Sequence, residues 1–299
     1  MKKNLTFTLL LISLMTSAQP KVSFTFDDGV TSDMPGYTFE QWNKMLLDNL
    51  DKAGVKAVFF VTGFNKTDEK GRFLLKSWDE QGHLIGNHTF DHPSYSRSSV
   101  SFEEFSNQVL RTDSIISQYD HYTKMFRFPY LKEGNTQEKV DKFREFLKEN
   151  DYRIGHVTID ASDWYIASRL VKRMKEDPDA DLSVFRDFYL QHIFDRATFY
   201  ENLAYELTGR HIKHTLLLHH NLTSALFVDD LAAMFRDKGW EVISAQEAYQ
   251  DPIFGEVTEY AGESLTWALA KDAGKYDDIL RYPAEGSEYE KAAMDELGL

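Results

Sequence analysis

Short apolar runs alternate along the chain with longer stretches whose apolar residues recur at helical spacing. Seven of these runs have the apolar and β-branched composition of strands. They are KVSFTF (21–26), KAVFFVTG (56–63), HLIGNH (83–88), MFRFPY (125–130), RIGHVTID (153–160), HTLLLHH (214–220) and WEVIS (240–244). Strands that alternate with helices form a parallel sheet covered by helices, so the pattern predicts an α/β fold that is either doubly wound or closed as a barrel.

The helices between these strands have recognisable starts. The clearest helix is predicted from Thr38 to Ala53, where Thr38 and Gln41 have the spacing of a capping box. Its apolar residues fall on one face: Trp42, Met45, Leu46 and Leu50. Ser101 and Glu104 repeat the capping pattern and predict a second helix of this kind.

Unusual polar and aromatic residues follow several of the predicted strands. Each lies at or just beyond the C-terminal end of a strand candidate: Asp27, Asp28, His88, His92, Arg127, Asp163, Trp164 and His219. Barrel enzymes collect their active-site residues on that face from several strand ends. We therefore favour the barrel over the doubly wound sheet.

Two segments interrupt the alternation of strands and helices. Residues 166–210 form a long, charged, helix-like insertion between two strands, and residues 251–299 form an acidic tail. We expect both segments to pack as helical cover over the barrel. Lining a substrate groove is the alternative role for each.

The first 18 residues have the composition of a secretion signal. Basic residues at positions 2 and 3 precede an apolar stretch, and Thr16 and Ala18 stand at the small-residue positions of a cleavage site. We predict that residues 1–18 are removed and that the mature chain is exported to the periplasm or the extracellular space. The alternative, an uncleaved membrane anchor, needs roughly 18 or more apolar residues. The chain has no cysteine, so the exported fold is expected to be held by its core and not by disulfides.

The chain carries a net charge of −14, which becomes −16 when Lys2 and Lys3 leave with the signal peptide. Phosphate-rich partners need neutralising lysine and arginine, so we expect neither nucleic acid nor an anionic membrane surface as a partner. No second strongly apolar span follows, so no membrane span is expected after cleavage. The remaining length suits one large domain with a tail, and we expect a monomer.

The adjacent acids Asp27 and Asp28 need a particular backbone if they are to share one site. Neighbouring side chains of a strand point to opposite faces, so the strand has to stop and turn there, which Gly29 permits. An acid pair before a glycine is also ordinary turn chemistry. In the functional interpretation, one acid ligates a metal ion while the other removes a proton from the attacking water.

His88 and His92 could complete such a metal site together with Asp28. Two imidazole nitrogens and one carboxylate oxygen are a ligand set of catalytic zinc, which leaves a position open. The spacing alone is weak evidence, because histidine pairs four residues apart also occur by chance. Pro93 disfavours α-helical geometry at His92 and favours a turn beside a strand end.

Further strand-end residues have both a functional and a structural interpretation. Arg127 could hold a carboxylate with two hydrogen bonds, or it could form a surface salt bridge. His219 could give a proton to a leaving group with Asp163 orienting its imidazole, or it could be a structural histidine. Trp164 could wall a small apolar pocket. Their joint placement at strand ends favours the functional interpretation.

Five stretches occur in the order and approximate spacing of the motifs of the polysaccharide deacetylase (NodB-homology) family of carbohydrate esterases. They are TFDDG, HTFDHP, RFPY, DASDW and LLLH. The chain resembles this family over residues 21–250, which implies a distorted (β/α) barrel of about seven strands that hydrolyses acetyl groups of sugars with one divalent metal ion. We predict a signal peptide at 1–18, a catalytic domain at 19–250 with the helical insertion at 166–210, and a C-terminal extension at 251–299.

The resemblance implies a role for each motif residue. Asp27 would be the general base, while Asp28, His88 and His92 would bind the metal, which is zinc or another divalent ion such as Co²⁺, Ni²⁺ or Mn²⁺. Arg127 would tune the basicity of Asp27, His219 would be the general acid, and Asp163 would hold His219. The backbone amide of Tyr130 would stabilise the oxyanion. Trp164 and Leu217 would line the pocket for the acetyl group.

Two positions depart from the family's common pattern. Many members have aspartate where this chain has His220, so either of two imidazoles could be the acid, although motif alignment favours His219. Many also have glutamate where Leu84 stands.

The resemblance implies an enzyme that removes acetyl groups, N-acetyl in preference to O-acetyl, from an oligo- or polysaccharide such as peptidoglycan, a chitin-like chain or a xylan-like chain. A carbohydrate-binding pseudoenzyme on the same fold is the first rival interpretation. A metal-dependent phosphohydrolase is the second, and the net charge of the chain disfavours it.

Overall fold

The structure is a computed structural model that describes residues 19–280 and 287–299. The predicted signal peptide, residues 1–18, lies outside the described residues. Among the residues that are described, no helix combines the length and the apolar character that crossing a membrane requires.

A seven-stranded parallel sheet forms the centre of the molecule. Its strands are β1 Lys21–Asp28, β2 Val58–Val61, β3 Leu84–Asn87, β4 Tyr122–Phe126, β5 Arg153–Ile154, β6 Lys213–His219 and β7 Glu241–Val242. The strand order is β5-β4-β3-β2-β1-β6, and β7 pairs with β1. Every predicted strand run overlaps one of these strands, although the run at 125–130 covers only the last two residues of β4. The predicted runs overestimated the lengths of β5 and β7, each of which is two residues long.

The segment after β5 closes the sheet into a distorted barrel. The Gly155 amide donates to the carbonyl oxygen of Phe126 in β4 at 2.6 Å, and Ile159 then forms a parallel bridge with Leu216 of β6. The chain thus leaves one edge of the sheet and reaches the other within a few residues. This change of partner strand explains why the regular part of β5 is so short, and the barrel prediction is confirmed.

Helices cover the outside of the barrel. They are α1 Phe39–Lys52, α2 Glu69–Glu80, α3 Phe102–Ile116, α4 Gln137–Glu149, α5 Asp163–Glu176, α6 Ser183–Thr208, α7 Leu222–Asp237, α8 Ala245–Ala248, α9 Leu265–Ala273 and α10 Glu288–Glu296. The two predicted capping boxes, at Thr38 and Ser101, are both present. Trp42, Leu46 and Leu50 of α1 are fully buried, as the apolar face of that helix predicts.

The insertion and the C-terminal extension pack on each other outside the barrel. Helices α5 and α6 account for most of residues 166–210, and α6 packs against α7 and α9. In α10, the buried carboxylate of Glu290 lies 3.5 Å from Nε2 of His192 in α6. Both segments therefore provide helical cover, as expected.

Candidate active site

The end of β1 brings the two adjacent acids into one cavity. Asp28, the last residue of β1, has a φ of +82°, and Gly29 has a φ of +80°. A residue in the left-handed region breaks the alternation of strand side chains, so Asp27 and Asp28 both line the same cavity. The Thr62 amide fixes this turn by donating to the carbonyl oxygen of Asp28 at 3.1 Å. The turn that the sequence requires is therefore present.

Arg127 holds the buried carboxylate of Asp27. Its Nη1 donates to Asp27 Oδ1 at 2.6 Å, and its Nε donates to the carbonyl oxygen of Gly155 at 2.8 Å. Its Nη2 donates to the hydroxyl of Tyr249 at 2.9 Å, a residue that no motif in the surrounding sequence predicts. Since Arg127 is 1% exposed, its interpretation as a surface salt bridge is excluded. Burial raises the pKa of Asp27, although the Arg127 guanidinium acts in the opposite direction.

Three potential metal ligands come together at the C-terminal ends of β1 and β3: Asp28, His88 and His92. The two Nε2 atoms of His88 and His92 lie 3.2 Å apart, and Asp28 Oδ1 lies 4.0 Å and 3.7 Å from them, respectively. One ligand atom from each residue falls within 4.8 Å of the others. His92 has a φ of +56° in a loop, not in a helix, which agrees with the effect expected of Pro93. These three residues form a group that fits a single divalent metal ion.

The protonation of this group also suits a metal ion. Nδ1 of His88 donates to the carbonyl oxygen of Arg127 at 2.8 Å, which directs the lone pair to Nε2. Burial lowers the pKa of both His88 and His92, so both imidazoles are neutral near pH 7. Burial alone would raise the pKa of Asp28, but neighbouring positive charge, led by His219, outweighs burial and lowers it. Metal ligands have to be deprotonated, and all three are.

His219 and Asp163 form a charged pair beside these acids. Nδ1 of His219 donates to Asp163 Oδ1 at 2.7 Å, and the backbone amide of His219 donates to Asp163 Oδ2 at 2.8 Å. Burial acts to lower the pKa of His219, but Asp163, with help from Asp28 and Asp27, raises it to about 10. The imidazole is therefore a cation near pH 7 that can give up a proton.

The neighbouring His220 points away from the cavity. It is fully buried among the rings of Trp42, Phe59 and Trp78, and its Nε2 lies 3.1 Å from Asn43 Oδ1. His219 lines the cavity and His220 does not. Of the two candidate imidazoles, only His219 is placed where it can act on a bound substrate.

The cavity has a volume of about 320 Å³ and contains the remaining predicted residues. Leu217 and the half-exposed rings of Tyr130 and Trp164 line it. Tyr130 has a φ of +58°, and its ring contacts the His92 ring with centroids 4.6 Å apart. The ten residues predicted for the site therefore all line this cavity except Arg127 and Asp163, which lie directly behind Asp27 and His219.

Four lining residues were not predicted: Leu131, Asp160, Ala161 and Glu263. Asp160 and Ala161 belong to the DASDW motif and Leu131 directly follows RFPY, so these three could have been found from the motifs. Glu263 belongs to the C-terminal extension, where no motif points to it. The loop before α9 thus contributes a side chain to the cavity wall, so the extension combines helical cover with the alternative predicted role of lining the candidate site.

Comparisons with known proteins point to one family. The model of the family described as polysaccharide deacetylase matches residues 15–154. A peptidoglycan-N-acetylglucosamine deacetylase of Bacillus cereus is 32% identical over 145 residues, which are 48% of this chain and 46% of that protein. The peptidoglycan-N-acetylmuramic acid deacetylase PdaA of Bacillus subtilis is 27% identical over 187 residues, which are 61% of this chain and 64% of that protein. The chain thus spans less than two thirds of the length of either relative.

Solved structures agree in fold. The crystal structure of a peptidoglycan N-acetylglucosamine deacetylase bound to a substituted N-hydroxybenzamide superposes with a TM-score of 0.53 at 22% identity. The alignment covers 77% of this chain and 88% of that one. At this identity the likeness supports the distorted barrel fold alone.

Proposed function

The chain contains a domain of the polysaccharide deacetylase family, and from this premise we propose that it is a metal-dependent hydrolase that removes acetyl groups from a carbohydrate. The observation that carries the proposal is the convergence of three kinds of group on one cavity. These are a candidate metal group, a buried carboxylate held by Arg127 and a cationic histidine held by Asp163. Hydrolysis of an acetyl group needs a metal, a base and an acid.

Asp28, His88 and His92 would hold the metal ion, zinc or another divalent ion such as Co²⁺, Ni²⁺ or Mn²⁺. A divalent ion bound there supplies Lewis-acid polarisation of the acetyl carbonyl. The donor set of two imidazole nitrogens and one carboxylate oxygen suits zinc. The tautomer of His88, fixed by the Arg127 carbonyl, presents Nε2 toward Asp28 and His92.

Asp27 is proposed as the general base. It lines the cavity, and burial raises its pKa, which makes it a stronger base than an exposed aspartate, while the Arg127 guanidinium opposes that shift. Arg127 fixes the carboxylate so that one oxygen is used by the guanidinium. The other oxygen, Oδ2, lies 3.6 Å from His88 Nε2, close to the candidate metal group, where it can take a proton from the attacking water.

His219 is proposed as the general acid toward the leaving amine or alcohol. Asp163 orients its Nδ1 and keeps the ring charged, which leaves Nε2 as the proton donor. The backbone amide of Tyr130 is proposed to stabilise the oxyanion that develops at the acetyl carbonyl. Trp164 and Leu217 would enclose the acetyl methyl group and exclude larger acyl groups.

The names of the relatives guide the proposed substrate. Both curated relatives are named for deacetylation of peptidoglycan sugars, so we favour N-acetyl groups of peptidoglycan or of a chitin-like chain over the O-acetyl groups of xylan. An exported monomer, with residues 1–18 removed as a signal peptide, would meet such a substrate in the periplasm or outside the cell.

Acetate release from a panel of substrates tests the proposal. The purified chain is incubated with N-acetylglucosamine oligomers, peptidoglycan and acetylated xylan, each with and without a chelator. We expect acetate from an N-acetylated substrate, loss of the activity on chelation, and its recovery when zinc is added back.

A result with no acetate from any substrate, while zinc is bound in a one-to-one ratio, would favour the pseudoenzyme interpretation. Phosphate release from an aryl phosphate would instead favour the phosphohydrolase. Acetate release that a chelator does not change would contradict the role of the metal.

A further inference from the structure

The loop before α9 places a carboxylate of the C-terminal extension in the cavity. Glu263 directly precedes Ser264, the N-cap of α9, and its side chain is 3% exposed. It lies in the same cavity as the candidate metal group and His219. The extension therefore contributes to the surface that a sugar would contact, although it lies outside the five motifs.

The position of Glu263 is fixed by contacts on both sides. The amide of Leu265 donates to the carbonyl oxygen of Val157, in the segment that closes the barrel, at 2.7 Å. On the other side, a Cβ added to Gly262 would lie 3.1 Å from the carbonyl oxygen of Leu131. Glu263 itself has a φ of +59°, which is uncommon for a residue with a side chain. These contacts hold the loop against the barrel, and its backbone conformation fixes the position of Glu263 in the cavity wall.

Two acidic residues, Glu263 and Asp160, lie at this wall of the cavity. Glu263 forms an ion pair with Lys132; Glu263 is among the residues that line the cavity, and Lys132 is not. Asp160, also buried, is a second acidic residue that lines the cavity and is not among the predicted catalytic residues. An ionised carboxylate only accepts hydrogen bonds, so this wall suits hydroxyl or amide N–H donors and opposes another carboxylate.

Two aromatic rings at the same cavity complete a surface for a sugar ring. Tyr130 is 46% exposed and Trp164 is 37% exposed, and both line the cavity with Glu263. Exposed rings of this kind offer an apolar face with a polar tip, which matches a sugar that has apolar C–H faces and hydroxyl edges.

We propose that Glu263 is a specificity-determining residue that binds a hydroxyl or amide N–H of an uncharged acetylated sugar and disfavours sugars that carry a carboxylate. This inference rests on the proposed deacetylase function and deepens it by naming the substrate class. Asp160 reinforces the same preference from a second position on the cavity wall.

The test compares substrates with and without charge. Initial rates are measured on an N-acetylglucosamine tetramer, on a glycan containing N-acetylmuramic acid with its carboxylate free, and on 4-nitrophenyl acetate, which has no sugar. The variants are Glu263→Gln and, as a matched control, Glu256→Gln, an exposed acid of the same extension. A further variant, Lys132→Met with Glu263→Gln, removes both members of the ion pair.

We expect the wild-type chain to prefer the uncharged tetramer. Glu263→Gln should raise the KM for the tetramer and reduce the preference for it over the carboxylated glycan, each by about tenfold, the effect of losing one hydrogen bond to a charged group. Its loss of activity on 4-nitrophenyl acetate should be several-fold smaller. The double variant should behave like Glu263→Gln, and Glu256→Gln should behave like the wild type.

Several outcomes would overturn the inference. These are a wild-type chain without preference for the uncharged glycan, an unchanged preference in Glu263→Gln, or an equal loss on all three substrates. If Glu263→Gln does not fold, the single variant Lys132→Met tests the inference instead. It leaves the Glu263 carboxylate in place without its ion-pair partner, so it should increase the preference for the uncharged tetramer over the carboxylated glycan. A wild-type chain that is inactive on every substrate would instead contradict the proposed function itself.

Discussion

At the scale of single residues, Asp163 sets the proton state of His219. It accepts hydrogen bonds from both the ring and the backbone amide of that histidine, and it is fully buried. A carboxylate that cannot be screened by water stabilises the imidazolium strongly, which outweighs the cost of burying the cation. The resemblance to the family implies this pairing, but only the structure shows how close the two groups lie.

In the chelated, metal-free chain, the pKa of His219 should lie at about 10, and Asp163→Asn should lower it toward the ordinary histidine value. An NMR titration of the imidazole resonances measures both values. The stability that this charge contributes is fully present below pH of about 6.5 and is lost as the pH rises through the folded value.

His156 provides an internal control in the same titration. Burial lowers its pKa to about 4, and Asp163 is not among the charges that act on it. Its pKa should therefore be the same in Asp163→Asn. A His219 pKa that stays near 10 in this variant would contradict the role of Asp163.

The sequence patterns identified the motif residues at the candidate site but not the other residues that contact them or line the cavity. Four of the five motifs lie at or directly after strand ends, and the fifth follows the bridge residue Ile159, so local pattern and order were enough to group Asp27, His88 and His219. Tyr249, which binds Arg127, and Glu263, which lines the cavity, come from segments with no motif. Their roles depend on contacts between residues that are distant along the chain, and single-sequence patterns do not report such contacts.

At the scale of elements, close packing at Gly155 determines how the barrel closes. A Cβ at Gly155 would lie 2.3 Å from the Phe60 ring, and the Arg127 guanidinium lies over that ring with its central carbon 4.0 Å from the centroid. The chain changes its partner strand in this segment. Glycine is thus required where a barrel-closing backbone meets an aromatic ring.

Gly155→Ala should destabilise the fold by about 1–3 kcal/mol, because an overpacked site forces the ring or the backbone to move. The shift of the thermal or urea unfolding midpoint measures this effect. Gly255→Ala is the matched control, since a Cβ there meets nothing within 4 Å. Equal midpoints for the two variants would show that the barrel closure tolerates a side chain at Gly155.

At the scale of the whole molecule, a bound metal should couple the separate strand ends. Asp28 ends β1, and His88 and His92 follow β3, so an ion held by all three stabilises the folded chain relative to the unfolded one. With free zinc at about 100 times its dissociation constant, the free energy of unfolding should rise by about 2.7 kcal/mol.

Thermal unfolding with zinc or with a chelator measures this shift without relying on activity. The variant Asp28→Ala, His88→Ala, His92→Ala should lose the zinc-dependent shift. His121→Ala removes a histidine outside the cavity, where it contacts Asp79, and should keep the shift. If zinc still stabilises the triple variant, the metal ion binds at other residues and this ligand assignment is wrong.

Local sequence patterns were enough to predict the helices, the strands and the kinds of chemical group at the site. The alternation of apolar runs and helical stretches predicted the α/β class and the seven strands, and residue type and order predicted the chemical groups at the strand ends, because these properties are local. The tertiary structure decided how the barrel closes at Gly155, that His219 and not His220 faces the cavity, and that Glu263 joins its wall. These outcomes depend on which distant surfaces pack together, and the packing of the whole chain determines that.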